Sequence, residues 1–375
     1  MIPLFKVFTA DTVMPELAKV FASGMIGQDK KNEEFEKVLR AYFNEAYINT
    51  VNSATSAEHL TYHLLKKYGL QAGDTVLTTA LSCLATHTPM VAEGLKIQWV
   101  DIDPTNLNID LDDLERKLSP NTKVITVVHW GGNPVDLTRL SKIKLKCQQM
   151  YGFYPVIVED CAHSLGAKFN NKLIGTHGNI CTFSLQAIKL INSGDGGFVI
   201  SPGWEDFYRR GRIQRWFGLD RDNPEIKDMR CFLDCEQTGH KFHMNDINST
   251  IGLENFKHVD RLLKAHQDNA AFYNKELANV SGVTLLERHP ASDPSYWIYS
   301  MLVEDRDGFN AAMKAQGIAT SMVHDRVDKH SCFKDNRSSL PSLDKTIGKV
   351  TNIPVGWWVT PEDREYIVQC IKAGW

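Results

Sequence analysis

The residues most able to do chemistry lie between Val156 and Gly197. The apolar run Val156-Ile157-Val158 leads into Glu159-Asp160-Cys161-Ala162-His163. Ligands of open α/β sheets sit at the carboxyl ends of strands, so an acid there faces a binding crevice. Thr182-Phe183-Ser184, Lys189 and Ser193-Gly194-Asp195-Gly196-Gly197 follow. Taken singly, each is ordinary: Asp160 a turn former, Lys189 a solvated charge, Gly194–Gly197 a hairpin. Their order is what matters. A carboxylate, a hydroxyl and an amine in this sequence suit pyridoxal 5′-phosphate (PLP). Its ring nitrogen needs a carboxylate to stay protonated. Its aldehyde needs a lysine made nucleophilic by desolvation. Its phosphate needs hydroxyls and backbone N–H groups at a helix start. Ser53-Ala54-Thr55-Ser56 opens a helical pattern and is the candidate phosphate cradle, although such a run is also simply a good N-cap.

These residues need elements to hold them. Phe35, Val38, Leu39, Tyr42 and Phe43 recur at helical spacing, as do Ala57, Leu60, Leu64, Leu65 and Tyr68, with Gly69 as a stop. Short apolar runs at 75–79, 97–100, 124–128, 156–158, 180–184 and 198–200 read as strands, the earlier ones separated by helices. That is the pattern of an α/β domain with a mostly parallel sheet. After Gly252 the pattern changes. Phe256, Val259, Leu263, Ala270 and Tyr273 predict one long helix, followed by a strand at 298–303, a helix at 308–315 and a last helix capped by Thr360-Pro361 with Asp363. The chain is therefore divided into a large domain, 1–252, and a small C-terminal domain, 253–375.

The 375 residues are enough for two domains. A formal net charge of −3 argues against a general nucleic-acid binder. No apolar run would span a bilayer, and the N-terminus lacks the features of a signal peptide. The eight cysteines are scattered. Cys231 and Cys235, the nearest pair, stand alone, so neither a metal site nor a disulfide framework is expected, and the setting reads as cytoplasmic with reduced thiols.

The 159–197 stretch resembles the DegT/DnrJ/StrS family of PLP-dependent sugar aminotransferases. The likeness is carried by Glu159–Ala167, Phe183-Ser184, Lys189 five residues later, and Gly194–Gly197. It extends to Ser23–Gln28, Val100–Pro104, His129–Gly132 and Gly239–Met244. It implies a fold type I transferase: a large domain with a mostly parallel seven-stranded sheet, a smaller C-terminal α/β domain, and a homodimer whose subunits share active sites. Lys189 would carry the cofactor as a Schiff base and act as general acid–base. Asp160 would pair with the pyridine nitrogen, and His163 would pack near the ring. Ser184, Thr55 and Ser56 would bind phosphate. Relatives usually place an aromatic residue at the position of Cys83, and often asparagine at that of Lys241. Here Cys83 would lie on the cofactor face, unless it is a small core residue. Lys241 would reach a phosphate as a point charge, unless it is merely solvated.

The same resemblance implies ping-pong transfer of an amino group from L-glutamate to a keto sugar, nucleotide-linked in most of the family. The run Arg209–Trp216 could meet a diphosphate, with Trp216 covering a base or sugar, or it could be the charged face of a helix. His324 and Arg326, and with them His330, fall in a segment that approaches the sugar in relatives, unless each is an ordinary surface residue. A branch of the family carries histidine in place of the lysine and deoxygenates its substrate, so Lys189 favours transamination over a dehydratase or epimerase. A smaller phosphorylated or free keto substrate, and a non-catalytic PLP-binding regulator, are the remaining alternatives.

Overall fold

The computed structural model describes residues 1–223 and 234–375. The strands are β1 (Ile48–Val51), β2 (Thr75–Thr79), β3 (Lys96–Val100), β4 (Thr122–Val128), β5 (Val156–Asp160), β6 (Lys168–Phe169), β7 (Lys172–Leu173), β8 (Ile180–Ser184), β9 (Gly197–Ile200), β10 (Val283–Leu285), β11 (Ser292–Asp293), β12 (Tyr299–Val303) and β13 (Val350–Ile353). Seven of them form the central sheet, in the order β1-β9-β8-β5-β4-β2-β3. Strands β3, β2, β4, β5 and β8 run parallel, and β9 is antiparallel to both β8 and β1. The expected α/β class and mostly parallel seven-stranded sheet are what the chain forms.

The central strands are buried on both faces, which explains their continuous apolar runs. Helices cover the sheet. Lys30–Phe43 buries Phe35, Leu39 and Phe43 on one stripe. Ala54–Leu65 buries Ala57, Leu60, Leu64 and Leu65, and ends through a 3-10 turn at Gly69, whose φ of 97° an L-residue rarely adopts. The edge strand β1 is absent from the sequence reading. Its four residues, Ile-Asn-Thr-Val, are all buried and offer neither alternation nor length to recognise.

In the last third, β10, β12 and β13 make a small antiparallel sheet in the order β10-β12-β13. Around it, Tyr273, Tyr299, Met301, Phe309, Ile353 and Ile367 form a separate apolar core. The final helix, Pro361–Ala373, begins with the expected cap: Thr360 Oγ1 accepts from the Asp363 N–H, and the Asp363 carboxylate accepts from the Thr360 N–H. The predicted long helix from Phe256 is two helices, Asp246–Phe256 and Val259–Glu276, broken where the His258 N–H bonds the Asn255 carbonyl. Apolar spacing carried across the break because both helices feed one core. Among the described residues no helix is long and apolar enough to cross a membrane. The seven described cysteines are free thiols; Cys231 lies outside the described residues.

Candidate active site

Strands β5 and β8 are parallel neighbours, with Asp160 opposite Thr182. Asp160 is the last residue of β5 and Ser184 the last of β8, so both side chains emerge at the carboxyl edge of the sheet. After β8 the chain folds back on itself. The Leu185 N–H bonds the Gly196 carbonyl, and the Ser193 N–H bonds the Leu185 carbonyl. This loop presents Lys189 over the same edge.

Asp160 is buried and held in place. Its Oδ2 accepts from Thr86 Oγ1 at 2.7 Å and its Oδ1 from the Ala162 N–H at 3.0 Å. Thr86 Oγ1 lies 2.8 Å from Ser82 Oγ. Behind them stands Glu58, a fully buried acid whose Oε1 accepts from Thr182 Oγ1 at 2.5 Å. Burial and the charge of Asp160 push the Glu58 carboxyl well above the usual carboxylate range, so it stays neutral.

Among the described residues Lys189 Nζ has no hydrogen-bond or ion-pair partner. It sits 3.5 Å from the centroid of the Trp297 ring. Desolvation lowers its pKa from 10.5 to about 8, against the opposing pull of Asp160. Trp297 is fixed by its own Nε1–H, which donates to the Ile188 carbonyl at 2.8 Å, one residue before the lysine. The Trp297 ring also stacks on His163, with centroids 4.0 Å apart. His324 lies parallel to His163 at 5.6 Å. Burial, then the Lys189 charge, hold both imidazoles neutral: His163 far below its ordinary value and His324 at about 4. His163 Nδ1 accepts from the Gly131 N–H at 3.3 Å, so its proton is on Nε2.

The candidate cradle forms beside this group. Ser53 caps the helix Ala54–Leu65 by accepting from the Ser56 N–H at 3.1 Å, and Ser56 Oγ donates to Asn52 Oδ1 at 2.6 Å. Thr55 is exposed on the first turn. Strand β9 pairs Gly197 with Ser184, and an added Cβ on Gly197 would come within 2.7 Å of Ala54 N and of the Ser53 carbonyl carbon. Only glycine lets the strand carrying Ser184's partner approach the helix start this closely.

The remaining expected residues divide. Cys83 lies at the start of the helix Leu84–Ala92, near enough to Lys189 to act on its charge. Lys241 is exposed, with Nζ 5.1 Å from the Trp216 ring, and its carbonyl accepts from Asn52 Nδ2 at 3.3 Å. Trp216 is half-buried between Arg221, at 4.3 Å, and an edge contact with His243. The arginines before it are committed elsewhere. Arg215 and Arg212 bond the buried Glu36, and Arg210 and Arg209 pair with Asp206 and Glu205 on their own helix. The charged-helix reading of that run is the one the geometry favours over a diphosphate contact. Arg326 departs from expectation in the same way. Its Nε and Nη2 bond both oxygens of Asp328 at 2.7 and 2.6 Å, and its Nη1 bonds Asp344. No free fork is left for a substrate. His330 is exposed.

Sequence reasoning missed Trp297, Thr86 and Glu58. Trp297 sits one residue before a predicted strand, a place where an aromatic side chain is ordinarily core. Thr86 and Glu58 lie inside helices, where a polar residue usually faces solvent.

The crystal structure of AtS13 from Actinomadura melliaura superposes with a TM-score of 0.96 at 44% identity, covering 100% of this chain and 99% of that one. The sugar aminotransferase CalS13 from Micromonospora echinospora gives 0.95 at 42% identity, with both chains covered completely, 100% each. The dTDP-4-dehydro-2,3,6-trideoxy-D-glucose 4-aminotransferase of Saccharopolyspora spinosa is 26% identical over 95% of this chain and 92% of its own length. With its residues 9–372 matched by the corresponding family model, the chain belongs to the DegT/DnrJ/EryC1/StrS aminotransferase family.

Proposed function

We propose that the protein is a PLP-dependent aminotransferase that moves an amino group from L-glutamate to a keto sugar, and that the sugar is nucleotide-linked. The observation that carries the reading is the unpartnered, desolvated amine of Lys189 over the same sheet edge as the fixed carboxylate of Asp160. Those donors fit the cofactor: a lysine poised near neutrality, an anchored acid, and a hydroxyl-rich helix start. Bound there, PLP supplies an aldehyde that exchanges amino groups and a ring that withdraws electrons.

The chain's own residues do the rest. Lys189 would hold the cofactor covalently through Nζ and, as a free amine, would carry a proton between the substrate carbon that bears the nitrogen and the cofactor's aldehyde carbon in each half-reaction. Asp160 holds a proton on the ring nitrogen, and Thr86 keeps its carboxylate oriented. Ser184, Ser56 and Thr55, with the N–H groups of the Ala54–Leu65 helix, bind phosphate. His163, a neutral imidazole, would pack near the ring, Cys83 would lie on the cofactor face, and Trp297 would keep water from Lys189. Lys241 adds a positive charge towards a phosphate, and the sites are shared between two copies of the chain. Trp216 and His324 face the sugar side. Arg326 is not carried forward as a substrate contact. The division proposed is a cofactor-binding unit, 1–252, and a smaller unit, 253–375; the separate core around Tyr299 supports a second unit, although the helix Asp246–Phe256 runs across the boundary. The cell compartment proposed is the cytosol.

Nucleotide linkage is favoured by the Saccharopolyspora relative, whose substrate is a dTDP sugar. The test supplies 15N-labelled L-glutamate with dTDP-linked 4-keto sugars, free keto sugars or small keto phosphates, and follows label by mass spectrometry. Label in the nucleotide-linked product supports the reading. Label only in a free or small keto compound would replace the substrate, and none in any acceptor would overturn the activity.

A further inference from the structure

Away from Lys189, three imidazoles converge on one buried carboxylate. His59 and His63 are one turn apart on the helix Ala54–Leu65, and Glu93 closes the helix Leu84–Ala92. His59 Nε2 lies 2.9 Å and His63 Nδ1 3.3 Å from the same oxygen, Glu93 Oε1. His240, from the segment after the undescribed residues, packs its ring 4.7 Å from those of both His59 and His63. His240 Nε2 is buried and has no partner. Two other polar contacts belong to the cluster: Lys66 Nζ pairs with Glu93 Oε2, and His63 Nε2 lies 3.1 Å from the Thr238 carbonyl.

We propose that His59, Glu93 and His240 bind one divalent transition-metal ion of the zinc class, which fastens the segment around His240 to the helix Ala54–Leu65. Their ligand atoms lie within 4.8 Å of one another. Ligands around a tetrahedral zinc, at metal–ligand lengths of about 2.0–2.2 Å, sit roughly 3.3 Å apart, so small side-chain rotations suffice. Two imidazoles and a carboxylate are a donor set that zinc accepts, with the fourth position open to water or to His63. Binding the ion displaces the proton now lying between His59 Nε2 and Glu93 Oε1, which are 2.9 Å apart, and gives the buried, unpartnered His240 Nε2 a partner. Lys66 is the competing cation, and its half-exposed side chain can swing into solvent. Cysteine spacing could not reveal this group, because its members are scattered over 59–240 and contain no cysteine.

The experiment uses the tag-free, cofactor-loaded protein in a Cys231→Ser, Cys235→Ser, Cys332→Ser background, which removes the exposed thiols among the described residues and Cys231 as well. Zinc is added, the protein desalted, and retained metal counted by plasma mass spectrometry. Retention of one zinc per chain, lost in His59→Ala and in His240→Ala, is expected. No retained zinc, or equal retention in both variants, overturns the proposal. Should those variants not fold, diethylpyrocarbonate footprinting of the parent protein decides. Zinc must slow modification of His59 and His240 while leaving the exposed His330 unchanged. Unchanged rates contradict the site.

Discussion

Lys189 Nζ rests 3.5 Å from the centre of the Trp297 ring, and the same tryptophan donates through Nε1 to the carbonyl of Ile188. One side chain therefore dries the amine and fixes the backbone that presents it. The ring's face attracts the charged amine, whereas desolvation disfavours it, and desolvation wins.

A pH dependence follows from that balance. Only the neutral amine attacks an aldehyde. The rate at which apoprotein recaptures PLP covalently should therefore rise through pH about 8, not near 10.5. Trp297→Gln readmits water and should move the inflection upward. Stopped-flow absorbance across pH measures it; an unshifted inflection would separate Trp297 from the lysine's acidity.

Lys189→Ala should abolish turnover while still taking up PLP non-covalently, measured by equilibrium dialysis alongside steady-state rates. Sustained multiple turnover in this variant would assign the chemistry to another amine.

The carboxylate gives a graded test. Asp160→Asn leaves nothing to hold the ring proton and should lower kcat by several orders of magnitude. Thr86→Val removes only one charge-assisted hydrogen bond, of about 1.5–3 kcal/mol, so a loss of roughly 10–100-fold is expected. A near-normal rate for Asp160→Asn would mean that a different acid serves the ring.

Glu36, beneath the strand that leads into the Ser53–Ser56 cradle, predicts acid lability. It is buried and bonds Arg215, Arg212 and Arg40. Burial alone would raise its pKa, but these arginines lower it from 4.5 to about 2. The folded value is the depressed one, so the stabilisation is complete above pH ~4.5 and fades as pH falls towards ~2. Glu36→Ala leaves buried arginine charge uncompensated and should cost about 3–5 kcal/mol. Denaturant titrations at neutral and acid pH check both statements, with the difference between variant and parent shrinking in acid.

Much of the candidate site was legible because its residues are written locally. Asp160, Ser184 and Lys189 fall at or just beyond strand ends, and apolar runs with turn residues mark those ends well. The sheet was legible for the same reason, except β1, which is too short and too polar to stand out. What escaped depends on contacts between distant segments. Trp297 meets Lys189 from 108 positions away. Arg326 looked free in sequence, yet Asp328 and Asp344 occupy it. Thr86 and Glu58 gain meaning only once helix starts are packed onto the sheet beside Asp160. No periodicity encodes such pairings, and a charged side chain reads alike whether it waits for a ligand or neutralises a neighbour.

The most direct test is the near-ultraviolet and visible spectrum of the purified protein with PLP, before and after L-glutamate. A yellow band that borohydride fixes onto Lys189, and that glutamate bleaches to the pyridoxamine form, is the predicted result. A yellow band indifferent to glutamate would keep the cofactor and contradict the donor. No chromophore even with added PLP would contradict the account at its centre.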